Sequence, residues 1–237
     1  MTDIATSSEP RARIVDAAAR LLQEQGPSAV TTRGVAHAAG VQAPAIYRLF
    51  GDKDGLLEAV AEHVMSTFVS TKAAVVEAAE AEGVDPVADL RAGWQGQVEF
   101  GLGNPTLFRL LSDPTRVSGS PAARLGKRVL EARIHRVAVA GRLRVAENRA
   151  VALFQTAGVG VITTLLATPP DERDPGLADA VLNGVLAQML TDAPAAPDAG
   201  PRAAAVALRA VAPTLDALTT AEQQLLSDWL DRVIAAS

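Results

Sequence analysis

Residues 31–57 read TTRGVAHAAGVQAPAIYRLFGDKDGLL, and their punctuation decides the fold. Thr31 supplies a side-chain oxygen that can cap a helix N-terminus. Val35, Ala36 and Ala39 give that helix a small apolar face. Gly40 follows, the residue expected where a helix ends in the left-handed conformation. Val41 plugs the gap, and Gln42–Phe50 starts a second helix with Pro44 tolerated in its first turn. Ile46, Leu49 and Phe50 are expected to face inward. Gly51 stops this helix, Asp52 can cap the next, and Lys53 falls in that helix's first turn. Two short helices crossing at a glycine turn through small residues make a helix-turn-helix.

The outward residues are those a DNA reader needs. The second helix of such a unit enters the major groove with its N-terminal residues toward base edges, which selects Gln42, Ala43 and Pro44. Tyr47 offers a ring and a hydroxyl at the groove wall. Thr31, Arg33, Arg48 and Lys53 are placed for phosphates, partly through helix N-termini. Gln42 is a poor cap, a loss worth about 0.5–2 kcal/mol, but a glutamine can read adenine. Ala43 and Pro44 carry no hydrogen-bonding group and leave readout to thymine methyls and groove shape. Gly34 costs its helix about 0.8–1 kcal/mol against alanine and is expected to let the DNA backbone approach. The plain alternative is a helical hairpin with solvated charges. The joint pattern of cap, glycine turn, Tyr-x-x-Phe and capped lysine argues against it.

At Thr31, Val35-Ala36, Ala39-Gly40-Val41, Ile46-Tyr47, Phe50, Lys53 and Leu56-Leu57 the chain resembles the TetR (tetracycline-repressor-like) family of bacterial regulators. The specific part of the resemblance covers residues 10–60. It implies an all-α protein: a three-helix DNA-binding domain at residues 1–55 and a larger effector-binding and dimerisation domain at 56–237. It also implies a homodimer reading a palindromic operator on double-stranded DNA in the cytoplasm. Thr31, Tyr47 and Lys53 take the family's phosphate-contacting places. Gln42 departs from the family's usual serine, which bears on the operator sequence rather than on function.

Working outward, the chain of 237 residues is 49% hydrophobic and only 3% aromatic, and it has no cysteine. That excludes disulfides, thiolate metal sites and cysteine nucleophiles, and it argues against global disorder. Apolar positions recur at helical spacing almost throughout, for example Ile14, Ala17, Ala18, Leu21 and Leu22. No strand-length segment alternates. The net charge of −5 disfavours nucleic acid as a partner until it is resolved locally. Residues 10–50 carry +3 and residues 124–149 carry +6; the rest is acidic. The second basic island is read as the solvated face of one helix and the loop after it. The stretch 191–201, TDAPAAPDAGP, reads as a connector.

Two segments, 147–167 and 177–190, are apolar nearly all round, so they must be covered on more than one side. Their small residues allow close contact. Phe154, Ala157, Gly158, Val161, Leu165, Val181, Gly184 and Val185 are the expected dimer face of a four-helix interface; the alternative is burial within one subunit. Val151–Thr168 is long enough to consider as a membrane span, but its polar residues favour a buried helix and no membrane partner. Of eight aromatics, four fall at Phe68, Trp94, Phe100 and Phe108. With Gln97 and Asn104 they are the expected effector pocket, against the alternative of plain core packing. Arg109 and His135 are further candidate anchors. Gly101-Leu102-Gly103 and Gly158-Val159-Gly160 follow no strand and fail as dinucleotide sites. Three scattered histidines give no metal spacing, and no nucleophile elbow is present. The reading is a ligand-responsive repressor without cofactor or metal. The competing reading is a helical enzyme or carrier with a structural N-terminal unit.

Overall fold

The computed structural model describes residues 3–113, 120–191 and 200–236. Eleven α-helices and no strand form among the described residues, as the helical periodicity predicts: α1 (Asp3–Gln25), α2 (Thr32–Ala39), α3 (Ala43–Phe50), α4 (Lys53–Ala81), α5 (Pro86–Gly103), α6 (Pro105–Leu111), α7 (Pro121–Val139), α8 (Glu147–Ala167), α9 (Leu177–Met189), α10 (Gly200–Val211) and α11 (Thr220–Ala236). Most of the connector read at 191–201 lies outside the described residues.

The chain divides into two compact units. The first comprises Met1–Thr71 and Thr106–Gly126. Its core gathers Ile14, Ala17, Ala18 and Leu22 of α1, Val35 and Ala36 of α2, Ile46 of α3, and Leu56 and Val60 of α4, all buried. Glu62 on α4 grips the start of α7. Its carboxylate accepts from the Ala122 amide at 2.6 Å and the Ser120 hydroxyl at 2.5 Å. An acid at a helix N-terminus meets otherwise unsatisfied N–H groups there.

The second unit comprises Lys72–Pro105 and Lys127–Ser237. Helix α8 packs on α5 and α9. Trp94 of α5 meets Phe154 of α8 edge-on, with ring centroids 5.2 Å apart. Around them lie Leu90, Val151, Ile162, Leu165, Leu182 and Leu186, all buried. By length and composition α8 could cross a membrane, and 39% of its most apolar window is buried inside the protein. After α7 and α9 the backbone makes a single bridge, Leu143 to Leu190. Arg144 N–H donates to Met189 O at 2.8 Å, and Thr191 N–H to Arg142 O at 2.9 Å.

The basic island differs from its sequence reading. Arg133 is buried and Arg136 half-buried, because both grip the buried carboxylate of Asp89. Arg133 Nε lies 3.3 Å from Oδ1, and an Arg136 terminal nitrogen lies 2.8 Å from Oδ2. Arg136 also donates to the carbonyls of Ala79 at 3.3 Å and Val84 at 2.9 Å. One arginine thus ties the end of α4, the following turn and α5 to α7. Arg124, Lys127, Arg128 and Arg149 remain exposed, as expected of a solvated face.

Candidate nucleic-acid interface

The helix-turn-helix is built from local chemistry. Thr31 takes extended backbone angles, and its side chain accepts from Gly34 N–H at 3.0 Å. At the other end of α2, Gly40 sits at φ 65°, ψ 36°. Gly40 N–H reaches His37 O at 3.2 Å, and Val41 N–H reaches Ala36 O at 2.9 Å. This paired closure satisfies the last carbonyls and requires the left-handed residue. Gln42 precedes α3 in extended conformation and makes no side-chain cap, as its length predicts. Asp52 does cap α4: its carboxylate accepts from Gly55 N–H at 2.8 Å.

Below the reader, Ile46 is buried and Leu49 and Phe50 are half-buried. Two residues with no assigned role in the sequence reading hold the unit together. The Arg11 guanidinium lies 5.1 Å from the centre of the Phe50 ring, within cation–π range. Arg13 donates to Ala39 O at 3.2 Å, at the negative end of α2. Both count toward the +3 of residues 10–50, yet both act inside the unit. Their only sequence signal is an arginine pair one turn before the apolar stripe of α1.

Above it, Thr31, Arg33, Gln42, Pro44, Tyr47, Arg48 and Lys53 are exposed, and Ala43 is half-buried. Tyr47 is 55% exposed, which is unusual for an aromatic side chain on a helix with a core to join. All eight belong to the first unit. Gly34 has an internal reason. A Cβ there would stand 3.0 Å from the Thr31 hydroxyl and 3.1 Å from Ala29 O, so the glycine leaves room for the cap.

These residues coincide with a known domain. The profile described as "Bacterial regulatory proteins, tetR family" matches residues 14–60. Residues 14–60 therefore match the N-terminal domain of tetR-family bacterial regulators. An HTH-type transcriptional regulator BetI of Burkholderia ambifaria is 38% identical over 82 residues, 35% of this chain and 41% of the relative. A BetI of Burkholderia thailandensis is 44% identical over 55 residues, 23% of this chain and 28% of the relative. The chain therefore spans well under half the length of these relatives. A solved tetR-family regulator from Pectobacterium atrosepticum covers 78% of this chain and 92% of its own at 21% identity, with a TM-score of 0.57. That likeness shows the tetR-family fold over most of the chain. The family and its relatives are transcriptional regulators rather than enzymes.

The remaining candidate positions lie in both units. Phe68 and Phe108 belong to the first; Trp94, Gln97, Phe100 and Asn104 belong to the second. Trp94 is buried and its indole N–H meets no acceptor. Gln97 reaches Gly158 of α8, where a Cβ would stand 3.0 Å from its amide nitrogen. Asn104 closes the end of α5, its side chain donating to Phe100 O at 3.0 Å. His135 Nδ1 lies 3.2 Å from a Glu147 carboxylate oxygen, and Arg109 is exposed. A groove of about 370 Å³ between α7 and α8 is lined by Lys127, Glu131, Glu147, Asn148, Val151, Ala152 and Gln155, and none of the six effector positions is among them. Of the eight interface positions, Phe154, Gly158, Val161 and Leu165 are buried within the protomer. Ala157, Val181 and Val185 are half-buried, and Gly184 is exposed.

Proposed function

We propose that the chain is a ligand-responsive, dimeric transcriptional repressor. It binds a palindromic operator in the cytoplasm, where that DNA is, and is released by a small-molecule effector. The observation that carries the reading is the exposed set Thr31, Arg33, Gln42, Pro44, Tyr47, Arg48 and Lys53 on α2, α3, their leading residues and the start of α4, elements whose inner faces are buried. Two copies of α3 about 34–36 Å apart, or a multiple of that, would enter successive major grooves. An effector that prefers another spacing lowers operator affinity by its differential affinity for the two states.

Two features support the finer parts. The unpaired indole N–H of Trp94 favours an effector that brings an acceptor, with Gln97, Phe100 and Asn104 on or at the end of the same helix. The outer side of α8, with Thr156, Val159, Gly160, Thr163 and Thr164 exposed, leaves an uncharged surface on which α8 and α9 of a second copy can pack alongside Ala157, Val181, Gly184 and Val185. Gel shifts with the DNA upstream of the coding region test the reading. Tyr47→Ala and Lys53→Ala combined should abolish sequence-selective retardation while circular dichroism and melting stay unchanged. Retardation that survives the double substitution removes the proposed reader.

A further inference from the structure

In the second unit, hydrogen-bond donors gather about one turn of α5 without acceptors to meet them. Gly93 and Trp94 each lie one turn from Gln97, so the three share a face of the helix. Trp94 is 1% exposed, and its indole N–H is unpaired. The Gln97 amide lies against Gly158 of α8 and has no hydrogen-bond partner among the described residues. Over Gly93 lies the guanidinium of Arg133 from α7. A Cβ at that glycine would stand 2.9 Å from the guanidinium carbon and closer still to a terminal nitrogen, so the glycine lets the arginine rest on the helix backbone. Arg133 is 6% exposed. Its Nε lies 3.3 Å from Asp89 Oδ1. Its two terminal nitrogens hold no acceptor among the described residues.

Charge points the same way. Asp89 serves both Arg133 and Arg136, so the buried group carries 2 − 1 = +1. Arg136 spends further donors on the carbonyls of Ala79 and Val84. Arg133 has no such outlet, and a buried charge is tolerated when it is paired. A guanidinium and an indole N–H can only donate, so a ligand that satisfies them is rich in acceptors and negative. We propose that this part of the second unit binds the carboxylate of a small organic acid. The two terminal nitrogens of Arg133 match the two carboxylate oxygens side by side. Trp94 N–H and the Gln97 amide are the further donors. The Trp94 and Phe154 rings, 5.2 Å apart, and Gly158 one turn along α8 give the acid's apolar body its neighbours. The proposal rests on the effector reading above and gives that effector a chemical class.

Isothermal titration calorimetry on the full chain, without DNA, tests it with benzoate and hexanoate at millimolar concentration. Their neutral amides, benzamide and hexanamide, serve as the uncharged counterparts. At least one carboxylate should bind, and its amide should bind about tenfold more weakly or not at all. Arg133→Met should weaken the carboxylate by about tenfold or more. That variant leaves Asp89 paired with Arg136, so circular dichroism should show an unchanged helix content. Trp94→Phe keeps a ring beside Phe154 but removes the N–H, and it should weaken the same carboxylate independently of any change at Arg133. The proposal is overturned if neither carboxylate binds more tightly than its amide. It is equally overturned if both variants bind the carboxylate as wild type does. Carboxylate binding that is lost in the variants but leaves operator retardation unchanged supports the site and counts against the effector reading alone.

Discussion

Gly55 stands in the first turn of α4 where a Cβ would run into the carbonyl oxygen of Phe50. The obstacle is backbone, so it cannot swing aside. Gly34 is a milder case, with the Thr31 hydroxyl at 3.0 Å and a carbonyl at 3.1 Å. Alanine would gain either helix about 0.8–1 kcal/mol of propensity. At Gly34 the crowding roughly offsets that gain. At Gly55 overpacking of about 1–3 kcal/mol dominates. Urea denaturation should therefore show Gly55→Ala clearly destabilised and Gly34→Ala close to wild type; equal effects would contradict the geometry. Thr31, Gly40 and Asp52 were legible in the sequence because a cap or a left-handed turn is specified within four residues. Gly55 and the Arg11 and Arg13 contacts were not, because each depends on what the tertiary fold brings alongside.

At the scale of elements, the buried Asp89 carboxylate between Arg133 and Arg136 joins α5 to α7. Removing one member of such a group leaves uncompensated charge inside the protein, a cost of about 3–5 kcal/mol. Asp89→Ala should lower the urea midpoint accordingly. The change in Arg124→Ala, at an exposed position of the same island, should be negligible. A small loss at Asp89 would mean that the arginines find other partners. The sequence counted these arginines as a solvated run because the carboxylate they share lies more than forty residues upstream. Helix α8 shows a second limit. A helix apolar all round has no phase, so periodicity predicts burial without saying which face meets which neighbour. Phe154, Gly158, Val161 and Leu165 were expected to face a second copy. They are buried within the protomer, where Trp94 of α5 meets Phe154. The side of α8 left exposed is the threonine-rich one, with Thr156, Thr163 and Thr164.

For the whole molecule, a net charge of −5 and a DNA-binding reading are compatible because charge acts where it is placed. The reader carries Arg33, Arg48 and Lys53 on its exposed face, while an acidic remainder discourages contact elsewhere. Operator affinity should fall linearly with the logarithm of salt concentration. Lys53→Ala, removing one phosphate contact, should reduce that slope by about one. Fluorescence anisotropy at several salt concentrations measures it, and an unchanged slope would take Lys53 off the phosphate backbone. The all-helical plan was readable from the N-terminal motif and the periodicity. The joint between the ends of α7 and α9 was not, since a single backbone bridge leaves no pattern in composition. Yet it bears on how the molecule assembles. The bonds joining Arg142 and Arg144 to Met189 and Thr191 close a loop that contains all of α8 and α9. Such closure loses chain entropy before it returns any contact. The joint is thus expected to close late in folding and, once shut, to make the two helices come apart together rather than in turn.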